Sequence, residues 1–480
     1  MIRKLARSTA PAVLALALAG CTGIGDRDPH APLPPGPGAG ASLEPAGAGA
    51  IAQQTFVTGE TTPRAWWEQF SCDQLNVLVQ QALSANNDLA AADAALRAAQ
   101  AQAKAAGGAL GPTVDAGYSA QRARTPATLA PPVTDPNQLL YTLHTAQVTV
   151  SYPVDLFGEL HARHRSAMAA AGAAKARLLA ARQSVAANVV TAAISRAALE
   201  EQIAATKAMI AATADSLEMM RRRLRLGAVG DADVAAQEAA LATLEGSLPA
   251  LERGEAHQRT VLAVLLGRAP GDALPSLPQI RCIALPKQLP VALPADVVRY
   301  RPDMMAAAAA VQGAAADAHA AVAARFPALT LSADGGGTAQ NFGEMFKSAN
   351  LFWSILGGLT APIFHAGALR HQQEAAVATF EQSKAQYRTA VLQAFADVSD
   401  ALHGLHDDAT ALEAAERGVA AAERSYAYVR RQQELGDVGT LSVLNAQTTF
   451  QQARLQAISA RSARLVDTVA LYQANGAAPE

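Results

Sequence analysis

The cysteine at position 21 has the most distinctive chemical setting in the chain. Basic residues precede an apolar run over residues 10–18, a pattern typical of a bacterial secretion signal, and the run is too short to remain as a membrane-spanning helix. It ends in Leu18-Ala19-Gly20-Cys21, which resembles a bacterial lipobox, where the Cys receives covalent lipid such as palmitate. We therefore predict a signal peptide over residues 1–20 and a lipid anchor on Cys21. An ordinary signal peptide with a chance cysteine is the alternative.

The segment that follows predicts a tether and a destination. Residues 21–60 are rich in Pro, Gly and Ala and have little capacity to form a core, so we predict a lipidated flexible tether. Thr22 follows Cys21, where lipoproteins kept in the inner membrane carry Asp. The prediction is therefore sorting to the outer membrane.

Elsewhere the sequence offers no pattern typical of catalysis. It has no Ser/His/Asp context, no HExxH, no Cys pair at metal-binding spacing and no GxxxxGK[ST] phosphate loop. We predict no enzyme, no metal and no cofactor beyond the lipid on Cys21. Cys72 and Cys282 can form a disulfide in an oxidising compartment, and the sequence leaves that pairing open.

The charge balance restricts the class of partner. The net charge is -2, so the chain offers no basic field for nucleic acid. Charged residues make up 17% of the chain, against about 25% in ordinary soluble domains. This deficit indicates that much of the surface is buried, packed between subunits or in contact with lipid.

Landmarks recur along the chain and predict an internal duplication. Asp88 and Asp303 are 215 positions apart, and Gly158 and Gly367 are 209 positions apart, each within similar surroundings. A period of roughly 210 residues is too long for a solenoid and indicates two copies of one large module. The predicted bounds are 61–270 for the first repeat, 271–295 for a linker and 296–475 for the second repeat.

Each repeat contains two short segments in which polar and apolar residues alternate. Such alternation is typical of a strand with one apolar and one polar face, and about nine residues suffice for a tilted strand to cross a bilayer. In each pair a long polar loop separates the strands, and we place Gly335-Gly336-Gly337 in the second loop. A small soluble sheet is the alternative. The predicted strands are about 113–122, 144–153, 328–334 and 352–361.

The segments after the strands predict very long helices. Neither the stretch from about Gly158 to Leu226 nor that from about Gly367 to Leu435 contains Pro. A helix of roughly 60 residues is about 90 Å long, which no compact domain contains, so we predict coiled-coil-like struts. A Gly-containing turn ends each one, with Asp231 and Thr440 predicted as N-caps of the returning helices.

Four strands are too few to close a membrane sheet. Edge N–H and C=O groups have no partner in lipid, and single-chain barrels of this kind begin at eight strands. The chain must therefore share a barrel with identical copies. The long helices must come from the same number of copies. We therefore predict that they form a helical tube continuous with the barrel.

Several motifs together resemble a known family. In chain order they are Trp66-Trp67 with Phe70, Asn87-Asp88-Leu89, Tyr152-Pro153-Val154-Asp155-Leu156-Phe157-Gly158 and Arg299-Tyr300-Arg301-Pro302-Asp303. With the lipobox they resemble the NodT branch of the TolC-like outer membrane efflux proteins. The resemblance implies a mixed α and β membrane protein: a homotrimer with a 12-stranded barrel continuous with a 12-helix periplasmic tunnel. It implies a passive exit duct for drugs or other small solutes. The implied partners are a periplasmic adaptor and an inner-membrane transporter of the resistance-nodulation-division type.

The resemblance also implies roles for residues near the helical turns. In the family, an acidic residue one turn past an apolar one lines a constriction; here the matching residues are Leu441 and Asn445, with Ser442 beside them, so the usual carboxylates are missing. For Asn445 the alternative is interhelical packing. For Asp231 and the glycine turns it is helix capping, and for the arginines it is a solvated basic face. The implied adaptor-docking turns comprise Leu226, Gly227, Gly230, Leu435, Gly436 and Gly439. The possible gate charges are Arg222, Arg223, Arg225, Asp231 and Asp437.

Two other functions share parts of these features. One is an outer membrane duct for type I protein secretion, and the lipobox favours efflux over it. The other is a lipid-anchored periplasmic coiled-coil scaffold without a pore. The sequence identifies neither the cargo nor the particular pump.

Overall fold

A computed structural model describes residues 54–60, 62–126, 140–291, 297 and 299–476. Cys21, the predicted signal peptide and most of the predicted tether lie outside the described residues. The helices are α1 (Asp73–Ala85), α2 (Asn87–Gly108), α3 (Glu159–Arg225), α4 (Asp231–Leu265), α5 (Pro302–Ala323), α6 (Ala368–Leu435) and α7 (Thr440–Asn475). The strands are β1 (Thr55–Thr58), β2 (Thr113–Arg124), β3 (Leu140–Val154), β4 (Gln288–Val291), β5 (Ala328–Ala339) and β6 (Leu351–Thr360).

One order of elements occurs twice along the chain. Helix, strand, strand, very long helix and shorter helix follow one another as α2-β2-β3-α3-α4 and again as α5-β5-β6-α6-α7. The predicted long helices are confirmed, since α3 has 67 residues and α6 has 68. By length and composition α3 is apolar enough to cross a membrane, but half of the qualifying window is buried within the chain, as in a core helix.

The chain divides into two compact units. One contains Arg97–Ala173 and Ala307–Tyr387, and the other contains the rest of the described chain. In the first unit, β2, β3, β5 and β6 form one antiparallel sheet in that order. Its strands run 10 to 15 residues, longer than the nine expected.

The prediction that Gly335-Gly336-Gly337 lies in a loop is wrong, because all three residues belong to β5. A Cβ on Gly336 would overlap the carbonyl oxygen of Ala146 on the neighbouring strand. A Cβ on Gly337 would overlap the carbonyl oxygen of Met345. Close backbone approach, and not a turn, therefore requires glycine at positions 336 and 337.

Small residues let the helices of the first unit approach closely. A Cβ on Gly313 of α5 would lie 3.5 Å from the Cβ of Ala169 in α3. Ala314 and Ala315 pack with Phe380 of α6 in one buried cluster. The Ala-rich composition therefore places three helices in contact, as expected of struts packed on several sides.

An aromatic cluster and a disulfide stabilise the second unit. The Trp66 ring stacks on Tyr472 with 5.4 Å between centroids, and Phe70 packs edge-on against both. Cys72 and Cys282, whose pairing the sequence left open, form a disulfide with 5.5 Å between Cα atoms. In the same unit β1 and β4 form a parallel two-stranded ribbon.

Candidate functional site: the two-faced sheet and the helical turns

The four-stranded sheet has one apolar face. Residues that pair across an antiparallel sheet share a face, and the observed register aligns Val150 of β3 with Ala333 of β5 and Ile355 of β6. The same face carries some of the most exposed apolar side chains of the chain. They include Val114 at 66%, Trp353 at 78%, Ile355 at 76% and Leu359 at 66% exposure. A face of this kind fits hydrocarbon better than water.

The opposite face is polar over most of its area. At one level, Asp115, Thr149, Asp334 and Ser354 pair in register across all four strands. Thr149 Oγ1 donates to Asp334 Oδ1 at 2.7 Å, and Ser354 Oγ donates to Asp334 Oδ2 at 3.2 Å. Phe352 and Leu356 are the apolar exceptions on this face of β6. A hydrated surface suits the rest.

The motif from Tyr152 to Gly158 forms the junction between β3 and α3. Asp155 Oδ2 accepts hydrogen bonds from the backbone N–H of His161 at 2.9 Å and from His161 Nδ1 at 2.6 Å. Gly158 has φ +77°, a conformation that favours glycine. Phe157 stacks on Phe326 with 4.8 Å between ring centroids. Asp155, Phe157 and Gly158 thus help to fix the direction in which the long helix leaves the sheet.

The two helical turns have the same C-cap geometry. Gly227 and Gly436 have φ values of +72° and +86°. Gly227 N–H donates to Leu224 O at 2.9 Å and Ala228 N–H to Arg223 O at 2.9 Å. In the second turn Gly436 N–H donates to Gln433 O and Asp437 N–H to Gln432 O. This is a Schellman motif, so glycine is needed at both positions.

The predicted N-caps are wrong by one residue. Gly230 caps α4 and Gly439 caps α7, so Asp231 and Thr440 are the first residues of their helices. The Gly230 N–H donates to Asp233 Oδ2 at 3.2 Å, so Asp233 supplies the carboxylate expected from Asp231. Both Asp231 and Asp437 are exposed. Asp231 and Asp233 lie in the first turn of α4, where negative charge interacts favourably with the positive end of the helix dipole.

Leucines at the turns are exposed although the turns have their own apolar core. Leu217, Met220 and Val234 form a buried cluster that joins α3 to α4. Leu226 is nevertheless 82% exposed and Leu435 is 66% exposed. Apolar side chains left outside a formed core are typical of protein contact surfaces.

The arginines at the end of α3 differ in their partners. Arg221 binds Glu218 at 2.9 Å and Glu238 of α4 at 2.8 Å, and these hydrogen bonds raise its pKa. Arg222, Arg223 and Arg225 are exposed and form no ion pair within the described part of the chain. Three cations therefore remain available for other molecules.

The predicted constriction residues share one exposed face of α7. Leu441 is 62% exposed, and Ser442 and Asn445 are also exposed. On the opposite face the side chain of Gln447 is buried and its Nε2 donates to Thr213 Oγ1 of α3 at 2.7 Å. The helix thus presents Leu441 and Asn445, one turn apart, away from its own chain.

Buried and half-buried charged residues lie between α6 and α7. Arg464 is 1% exposed and donates from Nε to Gln54 Oε1 at 2.7 Å and from Nη1 to the Leu405 carbonyl oxygen. Asp408 and Asp467 lie beside it. Burial, together with the neighbouring Asp467 carboxyl, raises the pKa of Asp408 to about 6. A charged pair of residues three apart, Arg464 and Asp467, in an Ala-rich helix was the available sequence signal.

The raised pKa of Asp408 predicts a pH-dependent stability. The folded chain holds this proton up to about pH 6 while the unfolded chain loses it near 3.8. The stabilisation is therefore full below the unfolded value and is lost as the pH rises through about 6. Arg464, Asp467 and Asp407 are the charged groups that act on Asp408.

We expect Asp408→Asn to be more stable than the unmodified protein at pH 7.5, by about 1 kcal/mol. At pH 5 the difference should fall to about half of its value at pH 7.5, because the folded carboxyl is mostly protonated there while the unfolded one is already ionised. Thermal unfolding at the two pH values measures this, with Glu416→Gln, an exposed carboxyl further along α6, as the matched control. Equal midpoints for Asp408→Asn and the unmodified protein at pH 7.5 would contradict the interpretation.

A two-faced antiparallel sheet that continues into helices of 67 and 68 residues defines the class of outer membrane channel with periplasmic helices. The sequence profile described as outer membrane efflux protein matches residues 78–268 and 293–477. The chain therefore belongs to the outer membrane efflux protein family. It is an outer membrane exit duct for efflux, in a family of channel components and not of enzymes.

Named relatives and solved structures agree with this family. The pyoverdine export outer membrane protein OpmQ of Pseudomonas aeruginosa is 30% identical, covering 86% of this chain and 87% of OpmQ. The probable efflux pump outer membrane protein TtgC of Pseudomonas putida is 27% identical, covering 97% of this chain and 94% of TtgC. The outer-membrane channel OprN superposes with a TM-score of 0.83 at 25% identity, covering 89% of this chain and 95% of OprN. The open state of the Neisseria gonorrhoeae channel MtrE superposes with a TM-score of 0.75 at 25% identity, covering 84% of this chain and 89% of MtrE.

Proposed function

We propose that three copies of this chain form one duct. The observation that carries the proposal is the sheet, in which β2 and β6 are the outer strands and neither has a second partner within the described part of the chain. Unpaired edges are not tolerated in hydrocarbon. Three copies supply twelve strands in a closed ring, with the apolar face toward lipid and the row at Asp334 toward the lumen. The repeated order of elements supports an internal duplication, which supplies twelve helices for the tunnel.

The duct exports small solutes passively as the outer part of a tripartite pump. OpmQ is named for pyoverdine export and TtgC as a probable efflux pump outer membrane protein, and export of small solutes is the corresponding role for this chain. A periplasmic adaptor docks on the exposed turns at Leu226 and Leu435, and an inner-membrane transporter supplies the energy. The lipid on Cys21 anchors each copy to the outer membrane.

The gate of this duct is neutral at the ring where the family resemblance implies an acidic residue. In the trimer, the face of Leu441 and Asn445 lines the constriction, with Ser442 beside it. Three amides can donate and accept hydrogen bonds there without attracting cations by charge. Arg222, Arg223 and Arg225 pair with carboxylates of adjacent subunits, for which Asp231 and Asp437 are candidates.

Conductance across planar lipid bilayers tests the duct. Reconstituted protein is expected to give small, largely closed conductance steps, together with a heat-modifiable trimer on gels. A lipid-anchored scaffold without a pore would give neither, and that result would overturn the proposal.

We expect Asn445→Asp to raise the cation preference of the open duct. A charge within about 4 Å of a permeating ion contributes about 1 kcal/mol in water, which corresponds to a roughly five-fold shift in permeability ratio. Reversal potentials in a salt gradient measure the shift, and Asn445→Gln is the uncharged control. If the two variants have the same selectivity, Asn445 does not line the passage.

A further inference from the structure

A cavity of about 560 Å³ lies in the second unit between α1, α3 and the segment that leads into α5. Its volume is in the range of small-molecule sites. All of its walls belong to that one unit. The proposed passage of solutes assigns it no role.

The apolar walls of the cavity are held in place by packing. Trp66 lines it and is 2% exposed, and its ring is stacked on Tyr472 at 5.4 Å. Trp67 lines the cavity beside it, with the two ring planes at 77°. Leu179 and Met305 contribute further apolar surface. A rigid aromatic corner of this kind binds flat or aliphatic groups without first having to be ordered.

The charges around the cavity are all positive. Arg64, Lys175 and Arg182 line it, and no carboxylate does. One face of α3 presents Lys175, Leu179 and Arg182 at four- and three-residue spacing. One cation therefore lies on each side of the apolar Leu179 side chain. Neither Lys175 nor Arg182 forms an ion pair with any residue that the structure describes.

Trp67, one of the residues that line the cavity, has a hydrogen-bond donor without a partner among the described residues. The donor is the indole Nε1, which is buried. Buried indole N–H groups ordinarily find an acceptor. The nitrogen has almost no accessible surface, so Trp67 contributes its apolar ring, and not its N–H group, to the cavity wall.

We propose that this cavity binds a soluble amphiphilic organic anion, with an aromatic or aliphatic body against Trp66 and Trp67 and an acidic head between Lys175 and Arg182. A carboxylate, sulfonate or phosphate head fits two cations. The apolar body of the bound molecule packs against the remaining, apolar part of the cavity wall. None of the cavity's lining residues belongs to the proposed constriction.

Tryptophan fluorescence reports directly on this cavity. The chain has three Trp residues, and Trp353 lies on the apolar face of the sheet, so Trp353→Phe leaves Trp66 and Trp67 as the only emitters. The probe is 8-anilinonaphthalene-1-sulfonate, added to the intact protein in a nonionic detergent. We expect saturable quenching, and weaker quenching by the uncharged N-phenyl-1-naphthylamine.

A double substitution tests the cations. In the Trp353→Phe background, Lys175→Gln with Arg182→Gln is expected to weaken binding of the sulfonate about ten-fold and leave the uncharged probe unaffected. Arg177→Gln removes an exposed cation from the same helix outside the cavity, so it is the matched control and should have no effect.

Salt provides a second test that needs no substitution of the cations. Raising ionic strength should weaken binding of the sulfonate and leave the uncharged probe unchanged. Lack of saturable quenching in the intact protein overturns the proposal, as does insensitivity to salt. So does an equal loss of affinity in the Arg177→Gln control.

Discussion

Ile355→Lys is expected to abolish stable assembly in the membrane, whereas Ser354→Lys is expected to be tolerated. Ile355 is 76% exposed in the middle of β6, on the apolar face of the sheet. Lysine on the lipid face near the bilayer midplane costs about 2–4 kcal/mol per chain, and every copy in a trimer carries the substitution. Ser354 is its neighbour on the polar face, where a lysine comes near the Asp334 carboxylate.

The two variants differ by one position and carry the same added charge, so the comparison isolates the face of the sheet. The measurement is the amount of heat-modifiable oligomer recovered from outer membranes. A large loss for Ile355→Lys with near-normal recovery for Ser354→Lys is the expected result. Equal recovery of the two variants would mean that the apolar face does not contact lipid.

Arg301→Ala is expected to lower the free energy of unfolding by about 2–3 kcal/mol, because its carboxylate partners are partly solvated. Arg301 is 8% exposed, and its Nη2 lies 2.7 Å from Asp303 Oδ2 and 2.8 Å from Asp397 Oδ2 of α6. Its Nη1 also donates to the Ala474 carbonyl oxygen of α7 at 3.1 Å. Removing the guanidinium leaves two carboxylates and a carbonyl without their shared donor.

The pKa of Asp303 shows the strength of this contact. Burial alone would raise that pKa, but the hydrogen bond and positive charge of Arg301 outweigh it, so the pKa lies below its ordinary value. Arg299→Ala is the matched control, because Arg299 belongs to the same motif but is exposed. Thermal unfolding of both variants measures the difference. Similar midpoints for the two would show that Arg301 has no greater structural role than Arg299.

The sequence predicted the strands and long helices because each has a strong period. Alternation around Val148 and Ile355 sets the two faces of the sheet, and the Pro-free stretches beginning near Gly158 and Gly367 set the length of α3 and α6. Both signals are local, since they depend only on neighbours in sequence. The turns at Gly227 and Gly436 were predicted for the same reason.

Features that depend on distant residues were not predicted. Nothing local identifies Gly336 as a strand residue, since its constraint is the carbonyl oxygen of Ala146 on another strand. The contacts of Arg301 with α6 and α7, the burial of Arg464 and the pairing of Cys72 with Cys282 join segments far apart in sequence. The N-caps were misplaced because Gly230 and Gly439 cap through the backbone, without a side chain that marks them.

The role of the candidate site stays a prediction. Leu441 and Asn445 are exposed on one face of α7, and the sequence analysis proposed that this face lines a constriction. Which atoms it contacts depends on the assembly, and a single sequence does not encode that geometry locally. The aromatic cavity was not predicted, because its cations lie on α3 while its tryptophans precede α1.

Native mass spectrometry of the detergent-extracted protein tests most directly whether one chain has too few strands to close the sheet. We expect a complex of three chains that persists until the sheet unfolds. A folded single chain that inserts into membranes by itself would contradict it.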